Sequence, residues 1–461
     1  MNTFSQHVFK HLAIRFPGAT LMTFSWTITL ILKLVFQPGG IDQPAITDNL
    51  FPIIHQFSQI FCIGIPLFIL ISISHSVYAS HIAPFWFYLL GIILLSFYGI
   101  DLFFLKSFYN DALLIKQEFF TLLFFTLISI SFVPFLLFSM RNFWKFNNIL
   151  FIKLIKTIIY CSFSLLVVNG SLFVVDFIFN IGIYFWIYQF FFILIFCLFG
   201  CCYFLCQIPQ NLKNFESDTP FPTFYYLFSN GYLLPFCLCS ILAFYGLLFY
   251  YLLQWTFPHL GIIVIFCVIM GVSVYLTLQY ELLRSRTHNI IVAKGLPFFY
   301  TLILPLCLFF CVQLFFYFKD GGITEFWYLI FLYLIWISIL CLYFITSKRK
   351  DIRFIPISLA IILFLLLISP LKPFTISVSS QYNHLLKQLR HHELLNDDSI
   401  LQFNTYQSLS RLDQEKIINY LYYLENHNRL SLLAKHYPYP ILDQSLTLNR
   451  LFNDLNLKNQ P

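Results

Sequence analysis

Ionisable and amide side chains inside apolar stretches are the first candidates for chemistry, because they are costly in hydrocarbon. Asp176 stands in an apolar run at 174–177. It falls about three residues, or roughly 5 Å, from the end of its stretch, so its carboxylate can reach the interface. We therefore expect an interfacial Asp176 and keep proton or ion coupling as the alternative. His55 and Gln59 are one turn apart in the second stretch, which predicts hydrogen bonding between helices.

Histidines and cysteines are the next candidates, since imidazole and thiolate bind metals. His392-Glu393 begins like a zinc-protease helix, but Asn396 stands where the second histidine is needed. His384, His391 and His392 share a helical face, and such histidines usually face water. All 12 cysteines lie in apolar runs, where we expect packing rather than disulfides or metal binding. We predict no metal and no cofactor.

Motifs of common enzyme classes do not occur in the sequence. There is no Walker A, G-x-S-x-G or dinucleotide-binding glycine pattern, so the corresponding chemistries lack support. The most polar short connection, 319–325, predicts a glycine turn followed by a helix that starts at Thr324 and Glu325. We assign no catalytic residue and expect a non-enzymatic protein, while hydroxyl and amide sites of a membrane enzyme would escape such a search.

The elements that carry these residues are expected to be membrane-spanning helices. Of the 461 residues, 59% are hydrophobic and only 10% are charged, whereas soluble domains run near a quarter charged. A bilayer core about 30 Å thick needs roughly 20 apolar residues per helix, and no β-barrel alternation is present. We predict an all-α polytopic membrane protein with eleven spans, at 17–36, 51–73, 82–102, 119–138, 154–179, 181–206, 232–253, 260–280, 296–318, 326–345 and 354–371.

The basic residues predict the orientation of these spans. Thirteen Lys and Arg residues lie in the segments on one side, against three on the other. The positive-inside rule places the N-terminus in the cytoplasm, and eleven spans place the C-terminus in the periplasm. The net charge of +7 is spread between apolar runs rather than over one surface, so we expect a lipid bilayer and no nucleic acid as partner.

The composition changes abruptly at residue 372, so we divide the chain into a bundle at 1–371 and a soluble tail at 372–461. In the tail, Ser379-Ser380 is expected to cap one helix. Ser410 with Asp413 predicts a capping box for a second helix, and 400–403 a short extended piece. The inner faces of the two helices are predicted from their apolar spacing: Tyr382, Leu385, Leu386 and Leu389 on the first, and Ile417, Ile418, Leu421 and Leu424 on the second.

Several short motifs in the second half of the chain resemble those of a known family. They are Gly322-Ile323-Thr324-Glu325 with Tyr328, followed by Ser380-Gln381 after the last apolar stretch. With upstream motifs, the resemblance covers about three quarters of the chain. It is to a bacterial family of polytopic membrane proteins catalogued as domain of unknown function 4153. Trp327 stands where this family usually has Arg, and Ser369 where it has Gly. The resemblance implies an inner-membrane protein and carries no activity.

These observations predict a bacterial inner-membrane protein that works without catalysis, as a scaffold, sensor or envelope assembly factor. Its tail would meet a periplasmic or envelope protein. The alternative is a transporter or lipid-handling permease, with a path lined by His55, Gln59, Asn169 and Asp176. The sequence leaves the oligomeric state, substrate and partner open.

Overall fold

The computed structural model describes residues 12, 14–36, 46–78, 83–105, 112–137, 140–209, 229–286, 290–347, 350–368, 370–395, 410–437 and 447–454. Within these residues the secondary-structure elements are helices and no β-strand occurs, which confirms the all-α polytopic class. In the part of the chain that the structure describes, ten helices are long and apolar enough to cross a membrane. The predicted extended piece at 400–403 lies outside the described residues.

The helices follow one another as α1 to α14 along the chain. Those of the apolar region are α1 Pro17–Val35, α2 Ile46–Tyr78, α3 Pro84–Ile100, α4 Ala112–Phe132, α5 Met140–Phe179, α6 Phe185–Gln207, α7 Leu234–Gln254, α8 Gly261–Arg286, α9 Ile290–Gly321, α10 Glu325–Thr346 and α11 Phe354–Leu367. The last three are α12 Pro373–His391, α13 Arg411–Asn426 and α14 Leu448–Asp454, with a 3₁₀-helix at Leu430–His436 between α13 and α14.

The chain divides into two compact units. The first contains Met1–Asn110, Glu118–Pro220 and Asp351–Phe364, and the second contains Asp111–Gln117, Phe221–Lys350 and Leu365–Pro461. The tail therefore belongs to the same compact unit as α7 to α10.

Helix α1, in the first unit, shows how a span is built for lipid. It buries Thr23 and Thr27 and exposes large apolar side chains such as Leu21 and Ile28. Each buried hydroxyl donates to a carbonyl four residues earlier, Thr23 to Ala19 at 2.9 Å and Thr27 to Thr23 at 2.8 Å. The helix thus satisfies its own polar groups, as hydrocarbon requires.

Helix α5 begins fourteen residues before the span predicted at 154–179, so that predicted boundary is wrong for the helix as a whole. Its 40 residues measure about 60 Å, twice the thickness of a bilayer core. The predicted span covers only the more apolar part of this helix. The added portion has an apolar face of its own, where Phe146 is fully buried with its ring 4.7 Å from that of Phe135.

In the second unit, α8, α9 and α10 pack around buried aromatic residues. Tyr300 of α9 is almost wholly buried, stacks on Phe344 at 4.9 Å and shares a hydrogen bond of 2.5 Å with Thr277 of α8. Its hydroxyl is therefore satisfied inside the apolar region, as a buried phenol requires.

The eleventh apolar stretch forms a helix of only 14 residues, about 21 Å long. Helix α10 spans about 33 Å with its 22 residues. Leu371 lies beside the opposite end of α10 from Thr346, because its carbonyl accepts a hydrogen bond from Tyr328 at 3.3 Å. Thr346 and Leu371 therefore lie near opposite ends of α10.

The tail has an apolar core of its own. Its predicted inner-face residues Leu385, Leu389, Ile417, Leu421 and Leu424 are fully buried in one cluster, and Tyr382, Leu386 and Ile418 pack against it, which confirms both predicted faces. The cluster continues into the 3₁₀-helix and α14.

The two predicted helix starts in the tail have different outcomes. Ser410 caps α13 as predicted, with its hydroxyl accepting from the amide of Asp413 at 3.2 Å. The start predicted at Ser379-Ser380 is wrong, because α12 begins at Pro373. Proline at the first helical position is a strong start signal, so the serines lie inside the helix.

Candidate functional site at the start of helix α10

The turn between α9 and α10 is held against α12 by backbone and amide contacts. Gly322 has a φ of +76°, the left-handed conformation that glycine adopts readily. A Cβ at this position would lie 2.9 Å from Nε2 of Gln381. That amide donates to the carbonyls of Gly321 and Ile323 at 3.4 and 3.1 Å, and the amide of Ile323 donates to the hydroxyl of Ser380 at 2.9 Å. The glycine turn is therefore confirmed, and α12 covers it.

Helix α10 begins at Glu325 with Thr324 as its N-cap residue, which confirms the predicted start. The Thr324 side chain makes no capping hydrogen bond, whereas its carbonyl accepts from the amide of Tyr328 at 2.9 Å. Tyr328 is buried and its hydroxyl reaches Leu371. One turn of α10 thus contacts the segment that leads into the tail.

The carboxylate of Glu325 is the centre of the site. Its Oε1 accepts hydrogen bonds from the hydroxyls of Ser377 and Tyr423, each at 2.7 Å. Nε2 of His427 lies 2.9 Å from the same oxygen. These four residues, the Glu325 cluster, join α10 to both α12 and α13. Three donors on one carboxylate oxygen form a set of charge-assisted bonds, which are stronger than neutral ones.

The carboxylate also governs the charge of the neighbouring imidazole. Burial by itself disfavours the protonated form of His427, but its hydrogen bonds to Glu325 and to the Tyr423 carbonyl outweigh burial and raise the pKa of His427 above 6.5. Burial and the adjacent carboxylate raise the pKa of Tyr423 as well, so this phenol remains a donor. The two rings stack at 4.0 Å, and the ring of Phe374 lies 5.7 Å from His427.

The cluster is arranged to hold helices together. In the described residues, Ser377 contacts Glu325 and the Phe374 carbonyl, but not His427. A protonated His427 balances the charge of the Glu325 carboxylate, which is 27% exposed, while the two hydroxyls donate hydrogen bonds to it.

The other sequence candidates lie elsewhere. Asp176 stands three residues before the end of α5, as predicted, and its Oδ1 accepts from the amides of Gly182 and Ile183 at 2.7 and 2.8 Å. His55 of α2 lies 3.2 Å from the ammonium group of Lys33 in α1, so it does link two helices.

Gln59 of α2 is buried, and its Oε1 has no hydrogen-bond partner within the described residues. The observed hydrogen bonds do not connect Asp176, His55 and Gln59 into one path.

The tail histidines that were predicted to share a helical face make separate contacts. The two ring nitrogens of His384 lie 2.9 Å from the carbonyl of Ser380 and 3.3 Å from that of Lys319. His392 lies 3.8 Å from Asp413. In the part of the chain that the structure describes, no three His, Cys, Asp or Glu residues are placed to hold a metal ion.

The sequence motifs contained six of the residues at this site, namely Gly322, Thr324, Glu325, Tyr328, Ser380 and Gln381. Ser377, Tyr423 and His427 were missed. The only local signal was the spacing of Tyr423 and His427, one turn apart on α13, which identifies a shared face but no partner.

Comparisons with protein-family models, with curated proteins and with solved structures give no match for this chain. The resemblance to the family of unknown function therefore stays a prediction, and the class of the protein rests on its apolar helices.

Proposed function

We propose that this protein is a non-enzymatic scaffold, sensor or assembly factor of the bacterial inner membrane, which presents its C-terminal tail to an envelope protein. The observation that carries this proposal is the Glu325 cluster. It ties two tail helices to the first turn of a membrane span through three bonds to one carboxylate oxygen. Because the tail has its own apolar core and is attached to α10 in this way, it can present one fixed surface to a partner protein.

The proposed orientation puts the N-terminus in the cytoplasm and the tail in the periplasm. The charge bias of the loops supports the first part. The positions of Thr346 and Leu371 near opposite ends of α10 support an eleventh crossing and thus the second part. Paired fusions of alkaline phosphatase and a fluorescent protein to residue 461 test it. Active phosphatase with a dark fluorescent protein is expected, and the reverse pattern would contradict the orientation.

Crosslinking in living bacteria tests the function. A photoreactive amino acid replaces Leu412 in the tail, which is 70% exposed. The matched control replaces Leu242 of α7, which is 69% exposed in a lipid-facing position. We expect a discrete protein adduct from position 412, weakened by Glu325→Gln, and none from position 242. Absence of an adduct at 412, or one that Glu325→Gln leaves unchanged, would count against the scaffold.

A transporter or lipid-handling permease is the second candidate, and the buried amide of Gln59 favours it. An amide oxygen without a partner in the described residues of an apolar bundle is suited to bind a polar ligand or water. Gln59→Leu separates the two functions. A transporter would lose activity with its tail crosslinks intact, whereas a scaffold would tolerate the change.

A further inference from the structure

We propose that a cleft at one end of helices α1, α2 and α3 binds the phosphate group of an anionic phospholipid, with Arg15 as the cationic contact. The cleft has a volume of about 230 Å³. It belongs entirely to the first compact unit and is independent of the Glu325 cluster.

The cleft exists because three helix ends meet above a tightly packed point. Helix α1 begins at Pro17, α2 ends at Tyr78 and α3 begins at Pro84. Below these ends, the ring of Phe68 lies between two glycines. A Cβ on Gly18 would approach this ring to 2.6 Å, and one on Gly91 to 2.8 Å. Small residues let the helices approach closely here, so the side chains below the cleft are tightly packed.

The lining combines polar groups with apolar walls. Arg15, Ser72, His75, Ser76 and Tyr88 supply the polar atoms, and none of the described lining residues carries a carboxylate. The hydroxyls of Ser72 and Tyr88 lie 3.0 Å apart. The Ser72 and Ser76 hydroxyls donate to the carbonyls of Phe68 and Ile73 at 2.8 and 2.7 Å, so the Tyr88 hydroxyl donates to Ser72. The guanidinium, with a Tyr88 proton that can turn from Ser72 to a ligand, suits phosphate oxygens. The apolar walls suit the glycerol and acyl chains of a lipid.

Arg15 is positioned before any ligand arrives. Its two terminal nitrogens donate to the carbonyls of Ile208 and Pro209. These neutral acceptors orient the guanidinium without neutralising it, and they use only part of its five N–H groups. Within the described residues no carboxylate forms an ion pair with this partly buried charge. A phosphate would supply a negative charge to pair with this guanidinium.

The aromatic residues beside the cleft favour a lipid headgroup rather than a free anion as its ligand. Phe85 and Trp86, in the first turn of α3, are each 63% exposed. Exposed aromatic residues at a helix end are typical of the headgroup level of a bilayer. The N-cap residue Ala83 has no side-chain acceptor, and the first turn of α3 has no acidic residue, so the helix dipole there favours an anion.

The experiment uses the full-length protein purified in mild detergent, with added phosphatidylglycerol, phosphatidylcholine or inorganic phosphate. Native mass spectrometry measures the retained lipid, and thermal unfolding measures stabilisation. We expect retention of phosphatidylglycerol over phosphatidylcholine. Arg15→Gln should weaken this retention about tenfold or more, because a charge-assisted contact is lost, and Arg15→Lys should restore part of it. Lys33→Gln, which removes a cation from the other end of α1, is the matched control and should retain the lipid.

Several results would overturn the proposal. They are equal retention of the two lipids, undiminished phosphatidylglycerol retention by Arg15→Gln, and stabilisation by inorganic phosphate without any response to lipid. Tyr88→Phe keeps every contact of Arg15 and removes one hydroxyl from the cleft, so it serves if Arg15→Gln fails to fold. It should lower phosphatidylglycerol retention at a temperature where the lipid-free variant, which loses the contact with Ser72, is still folded, and unchanged retention would contradict the site.

Discussion

Replacing Glu325 with glutamine should loosen the attachment of the tail without unfolding the apolar bundle. The substitution keeps the size of the side chain and removes its charge. Its oxygen can still accept from Ser377 and Tyr423, but the ion pair with His427 is lost. Since hydrogen bonds to charged groups contribute about 1 kcal/mol more than neutral ones, weakening three of them costs about 3 kcal/mol.

Hydrogen–deuterium exchange measured by mass spectrometry provides the assay. The free energy of opening α12 and α13 away from α10 should fall by that amount, so their amides should exchange about a hundredfold faster, since 1.36 kcal/mol is a factor of ten. Amides of α8 should be unaffected. Glu415→Gln is the matched control, because Glu415 forms an exposed pair with Arg411 at 3.2 Å, worth about 0.5 kcal/mol at most.

The reasoning would be refuted if Glu325→Gln exchanged no faster in α12 and α13 than the control. It would also be refuted if α8 lost protection equally, because the carboxylate would then support the whole unit rather than the attachment of the tail.

Two further predictions concern the same contact. The native state holds the His427 proton more tightly than the unfolded chain does. The stabilisation from its pair with Glu325 should therefore be complete below about pH 6.5 and decline as the pH rises through the raised native pKa of His427. Exchange of α13 amides, measured from pH 6 to 9 and corrected for intrinsic rates, should accelerate over this range, and His427→Gln should abolish the pH dependence. Gly322→Ala should lower the free energy of opening α12 by about 1–3 kcal/mol, because of the left-handed backbone at this position and the close approach to Gln381. The change is measured as faster amide exchange in α12. In the control Gly246→Ala, the added Cβ meets no atom within 4 Å, so exchange should change little.

The membrane class was predictable because it depends on composition over long stretches. Apolar runs near 20 residues produce helices in lipid whatever their neighbours are. Helix ends were less predictable. The amphipathic start of α5 and the early start of α12 at Pro373 depend on packing beyond the bilayer core, which hydropathy does not measure.

The candidate site was only half predictable. Glu325 and Gly322 stood out through a family resemblance and a glycine turn, both of which lie within a few residues of sequence. Their partners Ser377 and His427 are 52 and 102 residues away along the chain, and neither belongs to a motif. Sequence spacing placed Leu385 and Ile417 on inner faces, but it could not show what those faces would cover.

Periodicity and hydropathy are local properties of the sequence, so they predict apolar helices followed by an amphipathic helical tail. The packing of distant helices brings Ser377, Tyr423 and His427 to one oxygen of Glu325, and it places Arg15 in the same cleft as Ser72 and Tyr88. These contacts join helices far apart in sequence, and the free energy of packing is a sum over contacts that no single segment contains.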